Sequence, residues 1–526
     1  MTTFLKKSLR RVTLGALLLV PALTLIQACT NLTEVPKDAL TPDNAFKTDL
    51  EVLAGVASVY AGLRPTLWGY YNLSEITTDE LLVPTRGNDW YDNGRWLEIH
   101  RQQWTENSGS ALDDMNGTWN DLFSGVAKAN LMIEVMNKST SATKDQTIAE
   151  LRTLRAWYYY MLMDFFGGVP LVTTTELAKH ERVSRDSIFR FVEAELKASS
   201  AALPPSWPSS FRGRVTKGSA DAILASLYLN AQVFTGTVTA NSFTKGTARW
   251  TDAIAAADRV INSGVYSLAT DWKKNFSIDN QGSPEHIFWI SESSAADLGM
   301  SLAMRGLHYN QLSPEPWNGF ATIADTYNAF DPNDDRRSIF LVGQQYSYNT
   351  GAAVKDRQGN PLIFTVGIVD ATKAAENEGA RLMKFPPLPG AATGNSHPNN
   401  YPFFRLAEMY LIKAEALNES GNTPAAIAQL NIIRSRHLPA GSLIDPGLSQ
   451  AQARQAILNE RLFELAGEGK RRQDLIRAGK YTDAHQMCTA PIATCTKAAT
   501  QIYRILFPIP LTQRQSNPLL AQNPGY

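Results

Sequence analysis

Apolar positions recur every three or four residues over most of this chain, the period of helices that bury one face. Across 116–136 the recurring positions are Trp119, Phe123, Val126, Asn130 and Ile133; across 148–166 they are Leu151, Leu154, Tyr158, Leu162 and Phe165. The second run stops at Gly167-Gly168-Val169-Pro170, where glycine permits a turn and proline forbids continuation. Similar runs occupy 217–234 with 249–262, and 403–419 with 423–437, the last two joined through Gly421-Asn422.

Small residues such as Ala220, Ala231, Ala414, Ala425 and Ala428 fall where paired helices would approach closely, a rhythm that resembles the tetratricopeptide helix pair. Four irregular pairs are expected, at about 119–166, 217–262, 403–437 and 450–479. Such pairs cannot bury their apolar faces alone and therefore stack. Residues 264–400, rich in Gly, Pro, Asn and aromatics, are too many for a loop and are expected to form an irregular α+β insertion. A second excursion covers about 68–105. The predicted fold is mostly α: tetratricopeptide-like helix pairs forming a curved scaffold, with the ligand face on the insertion and loops.

The first residues change the setting. Lys6, Lys7, Arg10 and Arg11 precede an apolar stretch from Val12 to Ile26, interrupted by Pro21 and ending at Ala28-Cys29. That is the layout of a secretory signal; a membrane span is the weaker reading, because Pro21 interrupts a segment that barely reaches the roughly 20 apolar residues a span needs. Ala28-Cys29 resembles a bacterial lipoprotein processing site, with Gln27 an imperfect match. The expected organisation is a signal peptide over 1–28, acylation (palmitate included) at Cys29, a tether over 29–42 and a single domain over 43–526. Removing the signal takes four basic and no acidic residues from a chain with 50 of each, leaving a net charge of −4. Nothing there recruits nucleic acid. Of the remaining cysteines, Cys488 and Cys495 form either a disulfide or two free thiols in an exported chain; zinc would lack further ligands.

Catalytic motifs are scarce. There is no His-Glu-x-x-His and no Gly-x-Ser-x-Gly. Gly467-Glu468-Gly469-Lys470 lacks the first glycine of a Walker loop, where Glu464 stands, and reads as a helix end and turn. Asp331, Asn333 and Asp335 mimic a calcium loop, yet Arg336 takes the glycine position and Val342 the terminal glutamate. The acidic doublets Asp79-Glu80 and Asp113-Asp114 would suit glycoside hydrolysis only at a defined separation. No metal or cofactor is expected. Glu460, Glu464 and Glu468 are same-face neighbours that repel unless arginines such as Arg461, Arg471 or Arg472 interleave, which points to a structural network.

One stretch has binding chemistry. Arg86-Gly87-Asn88-Asp89-Trp90-Tyr91 and Trp96 follow Trp68, and Trp317-Asn318-Gly319 in the insertion has the same character. Sugars present apolar C–H faces rimmed by hydroxyls, so a site for them needs flat rings beside amide, carboxylate and guanidinium groups. Anchoring of a long loop to the core is the competing role for Trp90 or Trp96 alone.

The segments in order resemble the SusD/RagB-like outer-membrane lipoproteins of Bacteroidetes-type bacteria. The resemblance rests on Cys29 with LTEVPKDALTPDNAF from Leu32, Leu154-Arg155-Ala156-Trp157-Tyr158 through Phe166-Gly167-Gly168-Val169-Pro170, and Asn459-Glu460-Arg461 with Glu464, Glu468-Gly469, Asp474 and Arg477. The ends Phe507-Pro508-Ile509-Pro510 and Asn523-Pro524-Gly525-Tyr526 complete it. Gly467 and Arg472 stand where the family usually has aromatics, which predicts a looser turn. The resemblance implies a non-catalytic surface protein that captures oligosaccharide or another nutrient for a SusC-like TonB-dependent outer-membrane transporter. By location and chemistry it carries Trp68, Arg86, Asn88, Asp89, Trp90, Tyr91, Trp96 and Trp317 over as ligand contacts. A glycoside hydrolase and a protein-binding helical scaffold are the rival classes.

Overall fold

The computed structural model describes residue 46 and residues 48–526. The signal, Cys29 and nearly all of the tether region lie outside the described residues. Residues up to Glu51 and residues 52–526 form two separate units. Thr48 and Glu51 cap each other's backbone N–H groups, a reciprocal box at a helix start.

Among the described residues the helices of eight or more residues are α1 (Asp49–Ala61), α2 (Leu63–Tyr71), α3 (Ala111–Lys138), α4 (Lys144–Phe166), α5 (Arg185–Ser200), α6 (Lys217–Leu229), α7 (Trp250–Ile261), α8 (Leu406–Glu419), α9 (Thr423–Arg434), α10 (Gln450–Leu465) and α11 (Arg471–Ala478). The fold is mostly helical, as the periodicity predicts. Each helix packs on its sequence neighbour: α3 on α4, α4 on α5, α6 on α7 and α8 on α9, while α7 also meets α8 and α8 meets α10. Sequence periodicity alone passes over α5. Ser184 caps it by accepting from Ser187 N, and Ile188, Val192 and Leu196 bury its inner face between α4 and α6.

Between α7 and α8 the chain is mostly irregular. Its two longer strands, β1 (His286–Ile290) and β2 (Tyr401–Arg405), pair antiparallel, and β2 leads straight into α8. Other pairings are two residues long, such as Leu81–Leu82 with Ala321–Thr322, which joins the two excursions.

Charge ties this insertion to the helices. Arg405, at the end of β2, reaches Glu464 at 2.6 Å and Glu468 at 2.8 Å, while Arg336 reaches Glu460 at 2.7 Å and Glu464 at 2.9 Å. Lys384 adds a contact to Glu468 at 2.5 Å. All of these side chains are buried. The glutamates are thus separated by cations from the insertion and β2, and not by Arg461, Arg471 or Arg472. Those three pair instead with Asp474, Asp79 and Asp164.

The turn at 467–469 is not loosened. Glu80 Oε1 accepts Gly467 N at 2.6 Å, and Glu75 accepts Gly469 N. Burial pushes the Glu75 carboxyl well above its ordinary value and Glu80 up to about 7. Around them stand Asp79, Arg471, Lys384 and the Tyr70, Tyr71 and Tyr401 phenols.

Two predictions follow from this packing. A Cβ at Gly125 on α3 would come within 2.3 Å of the Tyr158 ring on α4. Alanine gains about 1 kcal/mol of helix propensity, but Tyr158 is fully buried and donates to Val59 O at 2.7 Å, so it has no retreat. Gly125→Ala should therefore lower the thermal midpoint, with a net loss of about 1–3 kcal/mol; an unchanged midpoint contradicts the packing. A raised carboxyl pKa means that the folded state holds a proton the unfolded chain has released, so the contribution of Glu80 is complete below about pH 4.5 and is lost as pH rises through about 7. Glu80→Gln keeps an acceptor for Gly467 and does not titrate. The variant should gain on the parent by about 1–3 kcal/mol between pH 5 and 8 in parallel melts, whereas a constant difference refutes a raised Glu80 carboxyl.

Candidate functional site

Arg86 and Asp89 exchange backbone hydrogen bonds at 2.9 and 3.0 Å, closing a tight turn whose tip, Gly87-Asn88, is exposed. Past this turn the backbone of Trp90, Asp92 and Asn93 enters the left-handed region, with φ of 61°, 40° and 55°. Bulky L-residues avoid that region, at a cost of roughly 1–2 kcal/mol each, so surrounding contacts must hold them there.

For Trp90 those contacts are specific. Its indole Nε1 donates to Trp317 O at 2.6 Å, and its ring meets Trp96 at 5.3 Å and Phe320 at 5.7 Å, both edge-on. The ring lies on Gly319, where a Cβ would come within 2.3 Å of it. The two excursions therefore meet at Trp90, and Trp90 and Trp317 are both half-buried. Trp317 packs its other contacts into the cluster of Ala303, Met304 and Leu307.

Asp89 forms the polar rim. It accepts from Tyr309 Oη and meets Arg357 at 3.3 Å, and the Arg357 guanidinium lies 4.2 Å over the Tyr309 ring. Arg357 also pairs with Glu376, which His308 Nε2 reaches at 3.0 Å. Burial opposes ionisation of Glu376, but hydrogen bonds from His308 and Arg357 hold it below its ordinary value. The half-exposed Arg357 carries its charge firmly, through its hydrogen bond to Glu376.

Two residues predicted as contacts lie beneath the surface. Trp96 is buried, donating to Asp92 Oδ2 at 2.6 Å with the Arg95 guanidinium 4.8 Å over its ring. Arg86 is buried too, with its guanidinium on the carbonyls of Ala375 and Glu378, and burial lowers its pKa to about 10. The reading of Trp96 and Arg86 as direct contacts is corrected: both are buried, and Trp96 Nε1 and the two terminal nitrogens of Arg86 brace the loops. Trp68, on α2, stays 36 % exposed, donates to Asp114 Oδ1 at 3.1 Å and carries the Arg305 guanidinium 4.2 Å over its ring. Asn88 and Tyr91 are exposed, Tyr91 by 58 %. What the geometry assembles is an open surface of Asn88, Asp89, Trp90, Tyr91 and Trp317, with Trp68 joined to it through Arg305 and Phe320.

Tyr309, Arg357 and Glu376 carry no motif and meet Asp89 or one another across long sequence separations, so linear spacing could not find them. Phe320 and Gly319 adjoin Trp317, and that adjacency was a usable signal. A cavity of about 280 Å3 away from this surface sits among Trp250, Glu415, Arg454 and Arg477, whose charges are already paired. Asp331 makes a turn with Asn333 N at 2.8 Å, and Asp335 holds Trp272 and His437. Cys488 and Cys495 are joined by a disulfide. Among the described residues the one grouping of metal-ligand side chains is these two sulfurs with Asp370, and sulfurs in a disulfide offer no thiolate. Among the described residues no helix is long and apolar enough to cross a membrane.

Two family profiles divide the chain. One, described as starch-binding and associating with the outer membrane, matches residues 39–229; the other, the SusD family, matches residues 262–526. A SusD-like protein of Formosa agariphila is 24 % identical over 94 % of this chain and 96 % of its own length. The starch-binding protein SusD of Bacteroides thetaiotaomicron is 23 % identical over 87 % of this chain and 85 % of its own. Among solved structures, a SusD-like protein of Bacteroides fragilis superposes with a TM-score of 0.73 at 21 % identity, covering 91 % of this chain and 97 % of that one. The surface glycan-binding protein A of B. thetaiotaomicron, solved with laminarihexaose, gives 0.70 at 21 %, over 91 % of this chain and all of that one. At such identities the structures establish the fold alone. The SusD profile spans half of the sequence, and the chain belongs to the SusD family.

Proposed function

We propose that this chain is a non-catalytic glycan-binding protein of the outer membrane, held there through an acylated Cys29, that passes its ligand to a SusC-like TonB-dependent transporter. The observation that carries the reading is the meeting of Trp90 and Trp317, two half-buried rings from separate excursions fixed by one hydrogen bond. A sugar ring would stack on their exposed parts. Asn88, Asp89 and the Asp89-bound Arg357 would meet its hydroxyls, with Tyr91 and Trp68 extending the platform. Support also comes from relatives named for starch binding and from a similar fold solved with laminarihexaose.

Binding needs no proton transfer, and the acidic doublets have other work. Asp79 pairs with Arg471, Glu80 accepts Gly467 N and Asp114 pairs with Arg95. The stacked helix side is left for the transporter, the usual use of such scaffolds, and residues 43–526 act as one binding domain on the 29–42 tether.

Native affinity gels of the purified chain against starch and laminarin test this reading. Trp90→Ala and Trp317→Ala should each weaken retention at least tenfold, about 1.4 kcal/mol, without releasing reducing ends from any polysaccharide. Retention unchanged in both variants, or release of reducing ends, contradicts it.

A further inference from the structure

A groove of about 480 Å3 runs between α1 and α2, the turn at Ser209–Phe211 and the end of β1. It shares no lining residue with the Trp90 surface. Its volume falls in the ~300–1,000 Å3 range of small-molecule sites. Leu53, Val56, Phe211 and Trp289 make the apolar part; Phe211 is 40 % exposed and Trp289 half-buried. Gly213, at φ 101°, lets the turn close on β1, because a Cβ there would come within 2.6 Å of Ser291 Oγ.

The polar part of the groove is cationic, with Arg64, Arg212 and Arg214 on its lining. Arg64 is fixed by two hydrogen bonds to Ser291 O, at 3.1 and 2.9 Å, and so stands preorganised on the wall. Its acidic neighbour Glu292, 3.2 Å away, is buried, and burial raises its pKa to about 8. Arg214 lies behind the Phe211 ring, stacked 4.1 Å from Trp207 and paired with Glu150. Arg212 is exposed, and no partner for its guanidinium occurs among the described residues. The Trp289 indole N–H, facing Gly213, is likewise unpaired there.

Flat apolar rings beside unspent guanidinium and indole donors suit a ligand with a C–H face and an anionic group. We propose that this groove is a second ligand site, independent of the Trp90 surface, for an acidic saccharide bearing carboxylate or sulfate. The sugar ring lies against Phe211 and Trp289, and Arg212 and Arg64 take the charge.

Calorimetric titration of the full chain tests this, with an oligogalacturonate and a sulfated galactan oligosaccharide as probes and with maltohexaose and an octaglutamate peptide as comparators. At least one acidic saccharide should bind, more weakly as salt rises, and better than either comparator. Arg212→Glu should weaken that binding at least tenfold and Phe211→Ala several-fold, both with an unchanged thermal midpoint. Arg212→Glu should leave retention of neutral glycans as in the parent, which separates this site from the Trp90 surface. The proposal is overturned if neither acidic saccharide binds, if Arg212→Glu has no effect on binding, or if the peptide binds as well as the sugars.

Discussion

Arg405 is the residue on which the architecture turns. It sits at the end of β2, where the irregular insertion gives way to α8, and its buried guanidinium bridges Glu464 and Glu468 while also approaching Glu285 at 3.4 Å. Burial opposes charge on Glu464, yet Arg405, His437 and Arg336 together hold its carboxyl well below the usual range. A buried ion pair is weak evidence for stability in itself, but breaking one leaves an uncompensated charge, at about 3–5 kcal/mol. The network therefore admits one docking of the insertion on α10 and penalises the alternatives.

That docking fixes where the recognition surface forms. The Leu81–Leu82 pairing with Ala321–Thr322 and the clamp of Glu75 and Glu80 on the 467–469 turn hold the first excursion against both the second and the helices. Arg86 and Trp96 then act as struts under a surface they do not line. Trp90 keeps an unfavourable backbone conformation because Gly319, Trp317 and Phe320 leave its ring no other seat. A platform held in this way loses little entropy when a ligand lands on it.

The helices were legible because burial of one face imposes a period, and the aromatic–polar stretch around Trp90 was legible because its composition has few other uses. Helix α5 was passed over although Ser184 and the Ile188, Val192 and Leu196 spacing mark it; its polar outer face dilutes the apolar signal. Which aromatics stay exposed was not readable. Trp90 and Trp96 have the same local chemistry and both meet Phe320, and they differ because Arg95 arrives over Trp96 while Trp90 lies on Gly319. The partners of Glu464 and Glu468 were misread for a similar reason. Helical spacing identifies neighbours within α10, whereas Arg336 and Arg405 come from far along the chain.

The most direct test of a preformed recognition surface is hydrogen–deuterium exchange of the full chain with and without a retained oligosaccharide. Ligand should slow exchange in 86–91 and 309–319 together, with little change in α8, α9 and α10. Protection confined to the helices, or to only one of the two excursions, would contradict the account.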